Sequence, residues 1–278
     1  MAGRPRLVKG IPGEAEAPAS QQAHAHSVQA LDRGLTLLGI IAEADGLSLT
    51  TIAQRAGIAP STAHRILNTL KSAGFVQCVG SQGHYLIGVK AFKVGAAFLR
   101  NRKLVDTGRS IIRRLMEATG ETASIGIEKD DYIVFISQME SHQAIRAFHR
   151  PGSRGSLHAS SIGKAILASL SDEAVAQRLH RVGMPKFTEH TIVDPERLLK
   201  DLEAARKRGW AVDDQERAEG MRCVGAAVFN EYGEVMGGIS ISGPMVRMSD
   251  ERLGELGPMV KRAAAEITEG IGGKLPKS

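Results

Sequence analysis

"IAPSTAHRILNTLKSAGF", Ile58 to Phe75, opens close to a proline and nearly closes on a glycine. Proline suits the first turn of a helix, where its missing N–H costs nothing, and glycine suits the residue just past the end. Between them Ala63, Ile66, Leu67 and Leu70 recur at three- and four-residue spacings and form one apolar stripe. At about 100° per residue, Ser61, Arg65 and Asn68 lie opposite that stripe. Thr62 and Thr69 flank them on one side and His64 on the other. The stripe anchors the helix, and the wide remaining face is free to meet something polar.

The flanks give that helix its context. Ser48 is placed to N-cap a short helix from Leu49 to Ala56, with Ile52 and Ala53 inward and Gly57 as its stop. A longer helix is predicted over 27–43, where Val28, Leu31, Leu35, Leu38 and Ile41 repeat before Asp45-Gly46. Downstream, "FVQCV" and "HYLIG" separated by "GSQG" read as a β-hairpin. Three helices and a hairpin over residues 27–88 make a winged helix-turn-helix, whose second paired helix enters the DNA major groove. Arg65 suits a bidentate bond to guanine, and Ser61, Thr62, Asn68 and Thr69 suit phosphates or base edges. His64 completes the polar face read as DNA-binding, with a double-stranded operator as the partner.

Charge supports this placement. Residues 27–103 carry nine Lys/Arg against three Asp/Glu, whereas residues 104–278 carry 24 against 25. A basic module joined to a near-neutral one is the expected layout of a polyanion binder carrying a second function. Residues 1–26 are rich in Pro, Ala, Gly and polar residues and read as a disordered arm. Within it Gly3-Arg4-Pro5-Arg6 resembles the core of an AT-hook, whose arginines (here Arg4 and Arg6) enter a narrow minor groove; the same residues also fit a flexible tail. The chain has no apolar run near the roughly 20 residues that span a bilayer, and no signal-peptide pattern, so a cytoplasmic location is expected. The two cysteines, Cys78 and Cys223, are far apart and outside any metal-ligand spacing, so neither a disulfide framework nor a metal site is expected.

Residues 89–103 are predicted to form a linker helix, with Phe92, Ala96 and Leu99 on one side. An amphipathic helix follows, with Leu104, Gly108, Ile111, Ile112 and Leu115 in line. Over 104–273 the pattern turns α+β, with strands at 123–128, 132–140, 143–148, 210–214, 223–230 and 234–242. Helices are expected at 160–170, 172–181, 195–208 and 249–269. The expected fold is therefore α+β in two domains, the second an antiparallel sheet covered by helices. "SSIGKA" ends like a phosphate-binding loop but lacks its first glycine and its Ser/Thr. With no GxSxG, HExxH or GxGxxG either, an enzyme is not expected, nor any cofactor.

Several ordered stretches, among them "IAQRAGIAPSTAHRIL", "LHASSIGKAILA", "RKRGWAVDDQE", "GMRCVGAAVFNEYG" and "ISISGP", resemble the IclR family of bacterial transcription regulators. The resemblance runs from about residue 25 to 273. It implies a winged helix-turn-helix joined to a GAF-like effector-binding domain, acting as a homo-dimer or dimer of dimers. Within the family, "FKVGAAFLRNR", "LHASSIGKA" and "DDQERAEGMRC" look closest to the isocitrate lyase regulator and the allantoin-pathway repressor, which both respond to glyoxylate. Their effector pocket, carried over, comprises Ser161, Ile162, Asp213, Cys223, Ser240 and Ser242, with an apolar wall of Ala144, Ala147, Gly155 and Met221. The implied effector is a small 2-oxo acid, glyoxylate or pyruvate. An aromatic or sugar acid is the alternative, because the wall departs from the relatives' larger aliphatics.

The chemistry of those positions agrees in part. Free N–H groups at a helix start suit a carboxylate, which fits Ser161 and Ile162. Ser240 and Ser242 alternate with Ile239 and Ile241, so both hydroxyls share one strand face; a solvated face would look the same. Cys223 reads equally as core packing. Asp213 would repel a carboxylate unless it accepts a bond from a hydroxyl, such as that of a hydrated aldehyde.

Overall fold

Ser48, Gly57, Pro60 and Gly74 punctuate the N-terminal helices as their chemistry requires. The computed structural model describes residues 28–80, 83–100 and 103–276, without the side chains of 96–100. The arm with Arg4 and Arg6 therefore lies outside the described residues. The chain falls into two compact units, 1–97 and 98–278.

In the first unit, α1 (Gln29–Ala42), α2 (Leu49–Arg55) and α3 (Pro60–Ser72) precede the hairpin β1 (Val76–Val79) and β2 (His84–Ile87). Ser48 Oγ accepts the Thr51 N–H at 3.2 Å, the N-cap expected of α2. Gly57 and Gly74 adopt positive φ (63° and 77°), each just past a helix end, which a side chain would oppose. Leu37, Ile41, Ile52, Ala63 and Leu67 meet Val76 and Tyr85 in a small core. The face of α1 differs in part from the one its periodicity suggests: Ile41 is buried and Leu38 packs on the core as expected, but the first two turns are rotated. Gly34, Leu37 and Ile41 are buried, whereas Val28, Leu31 and Leu35 are 59–68% exposed. Both stripes have helical spacing, and only packing decides which one turns inward. Helix α4 (Val89–Arg100) follows, with Val89, Phe92 and Val94 also exposed.

The second unit contains α5 (Lys103–Thr119), β3 (Thr122–Lys129), β4 (Tyr132–Met139), β5 (Arg154–Gly155), α6 (Ser161–Ala168), α7 (Asp172–Val182) and α8 (Pro195–Arg208). Strands β6 (Ala211–Asp214), β7 (Met221–Phe229) and β8 (Val235–Pro244) follow, then a 3₁₀ turn and α9 (Asp250–Gly270). The strands form one antiparallel sheet in the order β5-β4-β3-β8-β7-β6. One face, including Ala123, Ile125, Val224, Ile239 and Ile241, packs on α5 and α9. The other faces α6, which joins α7, α8 and β4 in a second core. The protein is thus α+β in two domains, an N-terminal helix-turn-helix and a curled, GAF-like sheet with helices. Among the described residues no helix is long and apolar enough to cross a membrane.

The strand expected at 143–148 does not form. Its backbone groups are captured by side chains instead: the Ala147 carbonyl accepts from Thr122 Oγ1, and the Gln143 N–H donates to Ser141 Oγ. Arg247 takes the Ile145 carbonyl in the same way. A segment whose polar groups are satisfied by side chains has no need of a ladder. On the side away from β3, β4 is bordered by the two-residue β5.

Candidate functional site

Register across four strands builds the floor of the candidate effector site. Asp213 pairs with Cys223, Cys223 with Ser242, and Ser242 with Thr122, so these four form one row on the α6 face. Ala211, Gly225, Ser240 and Ser124 form the next row. Helix α6 starts directly over them. A Cβ on Gly225 would lie 2.7 Å from the Ser161 carbonyl carbon, so glycine there lets the helix start rest on β7.

Ser160 caps α6. Its Oγ accepts the Gly163 N–H at 3.1 Å and donates to the Ser156 carbonyl at 2.6 Å. The Ser161 and Ile162 N–H groups have no acceptor among the described residues, which leaves two donors at the positive end of the helix.

Nine of the ten positions expected to form the pocket line one cavity of about 320 Å³: Ser161, Ile162, Asp213, Cys223, Ser240, Ser242, Ala147, Gly155 and Met221. Ala144 does not. It is exposed, because the segment carrying it has no strand alternation to turn it inward. The volume is at the lower end of the roughly 300–1,000 Å³ typical of small-ligand sites.

Asp213 is buried, and Oδ1 accepts N–H bonds from Glu216 at 2.8 Å and Arg217 at 3.4 Å. Burial first, and the Glu216 charge second, push its carboxyl up to about 7. The repulsion expected between Asp213 and an anionic ligand is therefore relieved by a proton near neutral pH. Burial also raises the Cys223 thiol, with Asp213 adding to it, so the cysteine is a neutral wall rather than a thiolate.

Other wall residues escaped the sequence reading. His149 stacks on Phe135 (centroids 4.2 Å apart, planes within 3°) and is held neutral mainly by burial, which lowers its pKa. Arg146, Arg154 and Arg217 bring positive charge to the lining. Behind it lies a charged triad, in which the buried Lys164 ammonium meets half-buried Asp201 (2.8 Å) and buried Glu216 (2.5 Å). A lysine among Ile162, Ala165 and Ile166 in a short apolar helix was its one sequence signal. Ser124 Oγ, also buried, has no hydrogen-bond partner among the described residues.

In the N-terminal unit, α3 buries Ala63 and Leu67 and exposes Ser61, His64, Arg65, Asn68 and Thr69, with Thr62 half-buried. The Arg65 guanidinium has no carboxylate partner among the described residues. Thr69 Oγ1 donates to the Arg65 carbonyl at 3.1 Å, which commits its proton and leaves its lone pairs. Asn68 Nδ2 lies 3.4 Å from His64 Nε2.

The family model "IclR helix-turn-helix domain" matches residues 30–79, and "Bacterial transcriptional regulator IclR C-terminal" matches 96–269. The chain is 46% identical over 244 residues to the HTH-type transcriptional regulator BhcR of Paracoccus denitrificans, covering 88% of each. It is 44% identical over 265 residues to the transcriptional repressor IclR of Escherichia coli K12, covering 94% of this chain and 95% of the repressor. The crystal structure of Thermotoga maritima IclR superposes with a TM-score of 0.75 at 30% identity, covering 87% and 98% of the two chains. On the family match and these similarities, the chain belongs to the IclR family of DNA-binding bacterial transcriptional regulators.

Proposed function

We propose that the operator affinity of this regulator is set by a small 2-oxo acid, glyoxylate first and pyruvate second, bound in the 320 Å³ cavity of the C-terminal unit. The observation that carries the reading is the meeting of two free N–H groups at the α6 start with Ser240, Ser242 and Asp213 in that one cavity. The N–H pair suits the carboxylate, and the three side chains suit a carbonyl or its hydrate. The genes controlled would then belong to glyoxylate, glycolate or related two-carbon metabolism. The exposed stripe Val28, Leu31 and Leu35, with Val89, Phe92 and Val94, supports a homo-dimer, or a dimer of dimers, as the binding form. The domains are read as an arm (1–26), the winged helix-turn-helix (27–88), a linker helix (89–103) and the effector domain (104–273).

Titration of glyoxylate into a purified protein–operator complex tests the effector. The expected result is a change in operator affinity, which requires different effector affinities in the DNA-competent and DNA-incompetent states. Loss of one hydrogen bond to a charged ligand costs about 1.5–3 kcal/mol, so Ser242→Ala is expected to weaken binding roughly tenfold or more. No response at millimolar glyoxylate, with no heat of binding to the free protein, would refute the assignment and leave the family intact.

At the DNA face, Arg65→Ala is expected to cost about 1–3 kcal/mol at the cognate operator and little on unrelated DNA. Wild-type operator affinity in a gel-shift titration would mean that this helix is oriented otherwise.

A further inference from the structure

Arg154 and Arg217 belong to the lining of two cavities at once. One is the candidate effector site; the other, of about 260 Å³, is lined also by Tyr132, Ser156, His158 and Phe187. We propose that these two arginines form a second anion subsite at the mouth of the effector cavity, so that the site, besides the short 2-oxo acids, takes a longer one bearing a second carboxylate. The proposal rests on the reading that the first carboxylate seats on the start of α6.

Neither guanidinium has a carboxylate or carbonyl partner among the described residues, whereas the arginines around them are committed. Arg146 bonds Glu140, Arg181 holds Asp131 through two bonds, and Arg247 bonds Glu121. Arg154 and Arg217 are braced on rings instead: Arg217 lies 4.1 Å from the Phe187 centroid and Arg154 lies 5.3 Å from that of Tyr132. Stacking uses the flat face of a guanidinium and leaves its in-plane N–H donors for an anion. It also restricts the side chain, which lowers the entropy lost when an anion is bound.

The nearby carboxylates do not cancel this charge. Asp131, in the second cavity, is already neutralised by Arg181. Asp213 is paired with neither guanidinium; its Oδ1 takes the backbone N–H groups of Glu216 and Arg217. Volume points the same way, because the two carbons of glyoxylate leave most of 320 Å³ unfilled. A longer acid, anchored at α6, reaches toward the mouth and places its far end among free donors.

2-Oxoglutarate and 2-oxovalerate test this directly, since they share a carbon skeleton and differ only in a terminal carboxylate against a methyl group. Both are titrated calorimetrically into the full chain, alongside glyoxylate. The expected result is at least tenfold tighter binding of 2-oxoglutarate, falling to within twofold in the Arg154→Gln/Arg217→Gln double variant. The comparison is a ratio within each protein, so a general loosening of the site cancels. A ratio near one in the wild type, or a ratio that survives in the double variant, overturns the subsite. Binding of glyoxylate without either five-carbon acid overturns it too, but leaves the proposed effector class standing. Failure of all three acids to bind removes both.

Discussion

Replacing Lys164 by methionine is expected to destabilise the C-terminal unit by about 3–5 kcal/mol, because the change strands a buried carboxylate. The Lys164 and Glu216 side chains are 2% and 3% exposed, so the carboxylate left by the lost ammonium is largely desolvated. Burial by itself would lower the lysine's pKa, but Glu216 and Asp201 outweigh it and hold the ammonium above its usual value. Urea unfolding followed by the single tryptophan, Trp210, measures the loss within the affected unit. Adding Glu216→Gln to Lys164→Met should restore part of it, since the stranded charge is then gone. In the single variant Glu216 loses its main counter-charge, and its already raised pKa rises further. An acid with a raised folded pKa stabilises at low pH and loses that contribution as pH rises through the folded value. The deficit should therefore be larger at pH 8 than at pH 5. A loss below about 1 kcal/mol would mean that the triad behaves as a solvated surface pair. Effector affinity should fall with stability, because the Glu216 N–H that bonds Asp213 is positioned by this same lysine.

Asp213→Asn is expected to make the protein more stable than wild type at pH 8 and no different near pH 4. The folded pKa of Asp213, about 7, lies above its ordinary 3.8, so the folded chain holds this proton more tightly than the unfolded chain does. The associated stabilisation is complete below pH 3.8 and is lost as the pH rises to 7. That loss is worth on the order of 4 kcal/mol, and asparagine, neutral throughout, does not incur it. The difference in urea midpoint between the two proteins, followed from pH 4.5 to 8, isolates this group from others that titrate in the same window. Equal midpoints at pH 8 would mean that Asp213 is solvated and ionised in the fold. The same proton controls the ligand. A carboxylate acid bound beside Asp213 should bind with proton uptake, so its Kd rises about tenfold per pH unit above 7 and is flat below it. A Kd unchanged between pH 6 and 8.5 would place the ligand's charge away from Asp213.

The helix-turn-helix was legible because its signals are local. Ser48, Gly57, Pro60 and Gly74 act through their own backbones or the next turn, so the chain itself states where α2 and α3 begin and end. The pairing of β1 with β2 was legible for the same reason, as was the α5 stripe from Leu104 to Leu115. The inward face of α1 was not. Two apolar stripes run along it, and which one is buried depends on α2, α3 and the hairpin packing against it. The false strand at 143–148 failed for a related reason: its alternation was local, but Thr122 and Arg247, distant in sequence, claimed its backbone.

At the site, sequence by itself determined that Ser240 and Ser242 share one strand face and that a helix begins near Ser160, because both follow from the pattern of neighbouring residues. Only the tertiary structure decided the rest. It set the register that puts Asp213, Cys223, Ser242 and Thr122 in one row, the stacking of His149 on Phe135, and the lysine triad behind the wall. It also reversed the meaning of Asp213. In the sequence that residue is an anion opposed to an acidic ligand; in the fold, burial raises its carboxyl until it holds a proton near neutrality. Desolvation depends on every element around a group, and no stretch of neighbouring residues encodes it.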